Sequence, residues 1–222
     1  MCGASLLIGQ DIATPEGDRQ AAPPVAADEP EGRIFGVIPN NKTVPRTAPS
    51  EEPLSTAQKF RLATKDTTDP FTVVLAAFYA GIAQWQDDFP TWGQGGKAYG
   101  KRFGAAYGDQ VIGNYLTEAI LPVLFHEDPR YFRKGSGTKW HRIDYALSRV
   151  LITRTDRGTN RFNYSEILGN GLAAGISNLY YPATERSVGE TGEKFAFQIV
   201  SDSAFNILLE FWPELKHEIF RK

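Results

Sequence analysis

Cysteine is nearly absent from this 222-residue chain: Cys2 is the only one. A single thiol excludes a disulfide framework and any cysteine-based zinc site, and leaves a lipid-attachment point or an incidental thiol. Net charge is almost as scarce, at -2 with a pI near 6.0, which argues against a dedicated nucleic-acid binder. No apolar run reaches the 18 or more residues expected of a membrane span. The sequence has no GxSxG, no HExxH and no phosphate-cradling GxxxxGK[ST]. No segment alternates as a strand. No metal and no cofactor is expected.

What charge there is lies unevenly. Residues 1–55 carry eight acidic residues against four basic ones. Residues 130–161 carry nine cations, Arg130, Arg133, Lys134, Lys139, Arg142, Arg149, Arg154, Arg157 and Arg161, against Asp144 and Asp156. That middle stretch is a cation source inside a mildly acidic protein, and anionic lipid is its natural partner.

Three regions follow from composition. Residues 1–10, MCGASLLIGQ, read as the last part of a secretory signal, although the basic start and the full apolar stretch are missing; a plain unstructured terminus is the alternative. Residues 11–52 are rich in Pro, Ala, Glu and Asp and cannot bury enough apolar surface to offset chain entropy. Within that arm Ile34, Phe35, Val37 and Ile38 form an apolar island, expected to dock at 33–40. Residues 53–222 form the domain.

The domain reads as all-α, a compact bundle of about five to six helices. Asp69-Pro70 caps the first firm helix, and FTVVLAAFYAGIAQW (71–85) is either buried on all sides or lies partly in a membrane. A second helix is expected from about 97 to 125, kinked at Pro122 and ended by Asp128-Pro129, and another over about 139–153. TRTDRGTNRF reads as a polar loop. Asn163 with Glu166 marks a further start, of a helix that runs to Tyr181. The last helix is expected to stop before Pro213. Gly104 and Gly108 on one helix and Gly171 and Gly175 on another make small-residue faces. Each glycine costs about 1 kcal/mol of helix propensity, so a close helix crossing is expected to repay them.

The most site-like stretch is HEDPRYFRKG (126–135). His126, with Glu118, Asp109 or Glu127, supplies the acid and base of a possible site; the plainer reading is a helix end with a Pro129 turn. Glu214 and His217 form one ExxH pair, too few for a dimetal centre. GNGLAAG (169–175) lies inside a capped helix and so is not a dinucleotide loop. Gln198, Asp202, Asn206 and Glu210 recur every four residues. They read most simply as the wet face of a helix, or else as an internal polar seam meeting Asp109, Asn114 and Glu118.

From Arg33 onward the motifs RIFGVIPN, KFRLATKDTTDPF, YGKRFGAAYGDQ, TEAILPVLFHEDPRYFR, ALSRVLITRTDRG and FNYSEILGNGLAAGISNLYYP resemble an uncharacterised family of exported bacterial helical proteins. The resemblance implies export, to the periplasm or outer envelope, and supplies no catalytic residue. Two functional expectations follow. One is a non-enzymatic envelope protein held to anionic lipid, or to an envelope protein, by Arg130, Arg133, Lys134, Lys139, Arg142, Arg154 and Arg157. The other is an enzyme acting on envelope lipid or glycan through the His126 region.

Overall fold

Asp69 accepts a hydrogen bond from the Phe71 backbone at 2.8 Å and, with Pro70 behind it, starts a helix with only Thr72 and Gln84 polar. The computed structural model describes residues 33–45 and 52–219. The signal-like residues 1–10, Cys2 and the rest of the acidic arm lie outside the described residues. In chain order the elements are β1 (Thr43–Val44), α1 (Thr56–Thr67), α2 (Pro70–Trp85), α3 (Gly96–Tyr115), a π-helical segment (Leu116–Ile120), α4 (Leu121–Phe125), β2 (Glu127–Asp128), β3 (Tyr131–Phe132), α5 (Lys139–Leu151), β4 (Ile152–Thr155), β5 (Asn160–Phe162), α6 (Tyr164–Ser177) and α7 (Val188–Ile219).

The domain is mostly helical, which corrects the all-α expectation. The stretch read as a polar loop turns back on itself: β4 pairs antiparallel with β5, and β2 adds to the other edge of β4. Gly158, at φ +81, makes the turn. β1 pairs in parallel with β3, Thr43 opposite Tyr131. These strands tie the 33–45 segment to the domain. Beside them Ile34 is fully buried, in a core with Tyr131, Ala146, Leu209 and Trp212, and Arg33 pairs with Asp69 at 2.5 Å.

Four helix boundaries differ from expectation. α6 stops at Ser177, where the Ser177 hydroxyl turns back to the Ala174 carbonyl, and does not reach Tyr181. Ser55 and Gln58 close a capping box and start α1 ahead of Asp69. The long third helix loosens into the π segment just before Pro122, whose ring would collide with the carbonyl four residues back in a regular helix. Pro213 does not end α7. In the turn before it the Glu210 carbonyl accepts from Arg133 Nε at 2.9 Å and Arg142 Nη2 at 2.6 Å, which anchors the helix to β3 and α5 beside the proline.

The helices α2, α3, α6 and α7 make a ring. α2 packs on α3, α3 on α6 and α6 on α7, and Tyr79 of α2 closes the circle edge-on against Phe197 of α7 at 5.9 Å. Two helices of this ring, α2 and α6, are inverted in polarity. α2 buries Thr72, Ala76 and Ala80, while Val74, Phe78 (60% exposed) and Trp85 (84%) point outward. Burial of α2 on all sides is therefore corrected. α6 buries Ser165, Gly169, Asn170, Ala173, Ala174 and Ser177 and exposes Leu168 and Leu172. Inside the domain lie Lys59, Asp66, Arg102, Glu118, Glu127, Arg142 and Glu210.

The glycine expectation is also corrected. A Cβ at Gly104, Gly171 or Gly175 would meet nothing within 4 Å, and one at Gly108 would meet the Tyr180 ring at 3.8 Å. The close crossing lies elsewhere. A Cβ at Gly169 would stand 2.7 Å from Thr117 Cγ2 and 3.3 Å from Thr117 N, where α6 presses on the π segment.

Candidate functional site

The π segment widens the helix by one residue per turn and rolls Glu118 inward, toward Lys42 of the docked segment. Lys42 Nζ meets Glu118 Oε1 at 2.6 Å and stands 3.7 Å from Asp66 Oδ2. Opposite, Asn170 of α6 donates to both Glu166 Oε1 and Asp202 Oδ2, each at 3.1 Å. Between them is a polar cavity of about 90 Å3 lined by Lys42, Glu118, Glu127, Ser165, Glu166, Asp202 and Asn206 among others. Such a volume holds several waters.

The electrostatics are incomplete, which marks the cavity out. Glu118 Oε2 and Ser165 Oγ are buried and lack a hydrogen-bond partner, and Arg149 Nε at the wall does too. Burial pushes the Glu118 carboxyl up to about 7, against the pull of Lys42. Glu166 is raised well above the usual carboxylate range by burial, by the charge of Asp202 and by a hydrogen bond to it. Burial alone would lower Lys42; Glu118 and Asp66 outweigh it and raise it. The chamber therefore holds carboxyls that keep or exchange protons near neutral pH. π segments recur at functional positions, and this one carries the acid.

The residues singled out in the sequence are scattered. His126 is exposed, with φ +55 at the end of α4, and does not line the chamber; a site centred on it is corrected. Glu127 is a wall of the chamber and a helix cap, accepting from Ser165 N at 2.9 Å and Tyr164 N at 3.3 Å, with Arg161 Nε at 3.3 Å. Asp109 stands in the helix ring, accepting from Tyr180 at 2.5 Å and Tyr181 at 2.6 Å. Asn114 donates to Thr67 Oγ1 at 3.3 Å.

The cation cluster is not a free face. Arg133 and Arg142 are buried, and both pair with Glu214, at 3.1 and 2.8 Å; Arg142 also pairs with Glu210 at 2.8 Å. Their expected lipid contact is corrected: carboxylates of α7 neutralise them. Arg130 pairs with Asp128 at 2.7 Å, Lys134 lies 2.8 Å from His141 Nε2, and Arg154 covers the Phe132 ring at 4.6 Å. Lys139 and Arg157 are exposed.

The stripe on α7 is an internal seam rather than a wet face. Asp202 and Asn206 line the chamber, Glu210 is fully buried, and Gln198 faces a second cavity beside Asp109. Sequence reasoning missed Lys42, Asp66 and Asn170, and took Glu166 for a cap. The period-four stripe was the available signal. Among the described residues no group of three or more His, Cys, Asp or Glu is placed to hold a metal. No family model, no curated protein and no solved structure matches this chain.

Proposed function

We propose that this is a non-enzymatic protein of the cell envelope that seats the apolar outer faces of its helix ring in a lipid bilayer. The inverted polarity of α2 and α6 carries this reading. Outward apolar side chains belong to α2 (Val74, Phe78, Trp85), α6 (Leu168, Leu172) and α7 (Phe197, Val200). Helices around a ring face different directions, so one flat protein partner would cover one side, whereas lipid covers them all. Charge is withdrawn from the same stretches. α2 carries none, Glu166 of α6 lines the chamber, and so does Asp202 within 195–209 of α7. Ionisable groups gathered inside a bundle are what an apolar surrounding requires.

Among the described residues no helix is long and apolar enough to cross a membrane. The 16 residues of α2 reach about 24 Å at 1.5 Å per residue, short of the roughly 30 Å hydrocarbon core. The proposed seat is therefore partial, at the interface. Export, from the family resemblance, belongs to the same proposal.

The test is flotation of the purified full chain with neutral phosphatidylcholine vesicles. Binding that persists at high salt and falls in a Val74→Asp/Phe78→Asp double variant with native circular dichroism is the expected result. Failure to float with neutral vesicles, or binding abolished by salt, contradicts an apolar seat. A second reading, an envelope lipid- or glycan-acting enzyme, draws its support from the half-satisfied Glu118 in place of His126.

A further inference from the structure

The helix ring encloses a second cavity, of about 320 Å3, within the size range of small-molecule sites. Its walls are aromatic and small. Tyr79 meets Phe197 edge-on at 5.9 Å, Phe89 meets Tyr181 edge-on at 5.0 Å, and Ala83 of α2 and Ala174 of α6 leave room between them. Asp88 and Phe197 belong to the lining and are also exposed, so the cavity reaches the surface beside them and a ligand has a way in.

The charges of the lining cancel: Arg102 and Lys194 stand with the carboxylates of Asp88 and Asp109. Arg102 is almost fully buried and donates to the carbonyls of Asp88, Phe89 and Gly93 and to Gln84 Oε1. The exposed Asp87 carboxylate, outside the lining, is 4.0 Å from it. Lys194 Nζ lies 3.5 Å over the Tyr181 ring and 3.3 Å from Ser177 Oγ, and its charge favours the ionised form of Asp109. Asp109 in turn accepts from the hydroxyls of Tyr180 and Tyr181 at 2.5 and 2.6 Å. Asp88 stands at the rim, in water. An ionic ligand of either sign would bring a charge that the lining does not answer, at the cost of its own hydration. A neutral ligand carries no such cost.

One polar demand is left. Gln198 belongs to the lining, and its Oε1 is buried without a hydrogen-bond partner. A buried carbonyl oxygen calls for a donor, and a hydroxyl supplies one without adding charge. The rings around the rest of the cavity favour a ring over an alkyl chain, because an aromatic guest gains edge-to-face contact beyond its area burial.

We infer that this cavity binds a neutral aromatic alcohol, its hydroxyl donating to Gln198 Oε1 and its rings lying between Tyr79, Phe89, Tyr181 and Phe197. The inference stands apart from the bilayer seat, and its test uses no vesicles.

The experiment is equilibrium dialysis of the purified full chain, at neutral pH, against 2-naphthol, naphthalene, 2-naphthoate, the 2-naphthylmethylammonium ion and decanol. The expected result is saturable binding of 2-naphthol, tighter than that of the other four. Gln198→Leu should weaken 2-naphthol by about five-fold, the size of one ordinary hydrogen bond, and leave naphthalene unchanged. Ala83→Leu from α2 and Ala174→Leu from α6 fill the cavity from facing walls, and each should abolish binding. Absence of saturable binding to wild-type protein, or binding kept by both filled variants, overturns the site. Either ion binding as tightly as 2-naphthol overturns its neutrality, and decanol binding as tightly overturns the preference for rings. Wild-type protein that takes naphthalene as tightly as 2-naphthol, or a Gln198→Leu variant that keeps wild-type affinity for 2-naphthol, overturns the role given to Gln198.

Discussion

Glu210 and Glu118 are both buried glutamates, and the protein completes one and leaves the other half made. Glu210 Oε1 accepts from Gly135 N and Arg142 Nε, each at 2.8 Å. Its Oε2 accepts from Lys134 N at 2.9 Å and the Tyr131 hydroxyl at 3.0 Å. Four donors replace the lost water, so this carboxylate pins β3 and the following turn to α7. Glu118 has Lys42 on one oxygen and no partner on the other. A saturated buried charge builds structure; a half-satisfied one keeps its proton up to near neutrality. The contrast separates the rigid end of the domain from its chamber.

Removing the saturated carboxylate should have the largest effect. Glu210→Ala takes one of the two carboxylates from Arg142 and orphans the Tyr131 hydroxyl and the Lys134 and Gly135 N–H groups; breaking a buried pair typically costs about 3–5 kcal/mol. Urea unfolding of the variant measures it, and a loss under about 1 kcal/mol would erase the distinction between the two glutamates. Glu118 should reveal itself through pH. Its folded pKa lies above the ordinary 4.5, at about 7, so the folded state holds the proton more tightly than the unfolded state. Stability is then greatest below about 4.5 and declines as pH rises through about 7, by at most about 3 kcal/mol from this group. Unfolding at pH 5 and pH 8 should show that decline, and Glu118→Gln should flatten it. An unchanged slope in the variant would move the titration to Glu166.

Two glycines on α6 sharpen the contrast at smaller scale. Gly169→Ala drives a methyl into Thr117, beside Glu118, and overpacking of that kind costs about 1–3 kcal/mol, outweighing about 1 kcal/mol of gained helix propensity. Thr117→Ser, which removes the Cγ2 at 2.7 Å, should recover part of the loss; no recovery in the double variant would show that this contact does not hold the π segment. Gly175→Ala meets nothing within 4 Å and should raise the thermal midpoint by the propensity gain alone, about 1 kcal/mol. A lowered midpoint would restore the close helix crossing that the structure places at Gly169 instead.

Much of the helical framework was legible because caps are local: Asp69 and Asn163 each declare a start with their own side chain. α1 was not, because its inward positions include Lys59, Asp66 and Thr67, and an apolar-period search reads such a face as solvent. The strands were illegible for another reason. They are two to four residues long and pair across distance, Thr43 with Tyr131 and Asp128 with Arg154. The period of the α7 stripe was plain but its direction was not, since wet faces and internal seams repeat alike. What decides is a partner far along the chain: Asn170 for Asp202, Arg142 for Glu210. Arg133 and Arg142 misled in the same way, their carboxylates lying on α7.

In α2 and α6 polar groups lie inside and apolar side chains outside, and the proposed bilayer seat stands on that inversion. Its most direct test is a set of single-cysteine variants in a Cys2→Ser background, Phe78→Cys, Leu172→Cys, Val200→Cys and Arg157→Cys, each labelled with an environment-sensitive fluorophore. On adding neutral vesicles, the labels at 78, 172 and 200 should brighten and shift to the blue while the label at 157 stays in water. No change at the three ring positions, or the same change at all four, would contradict it.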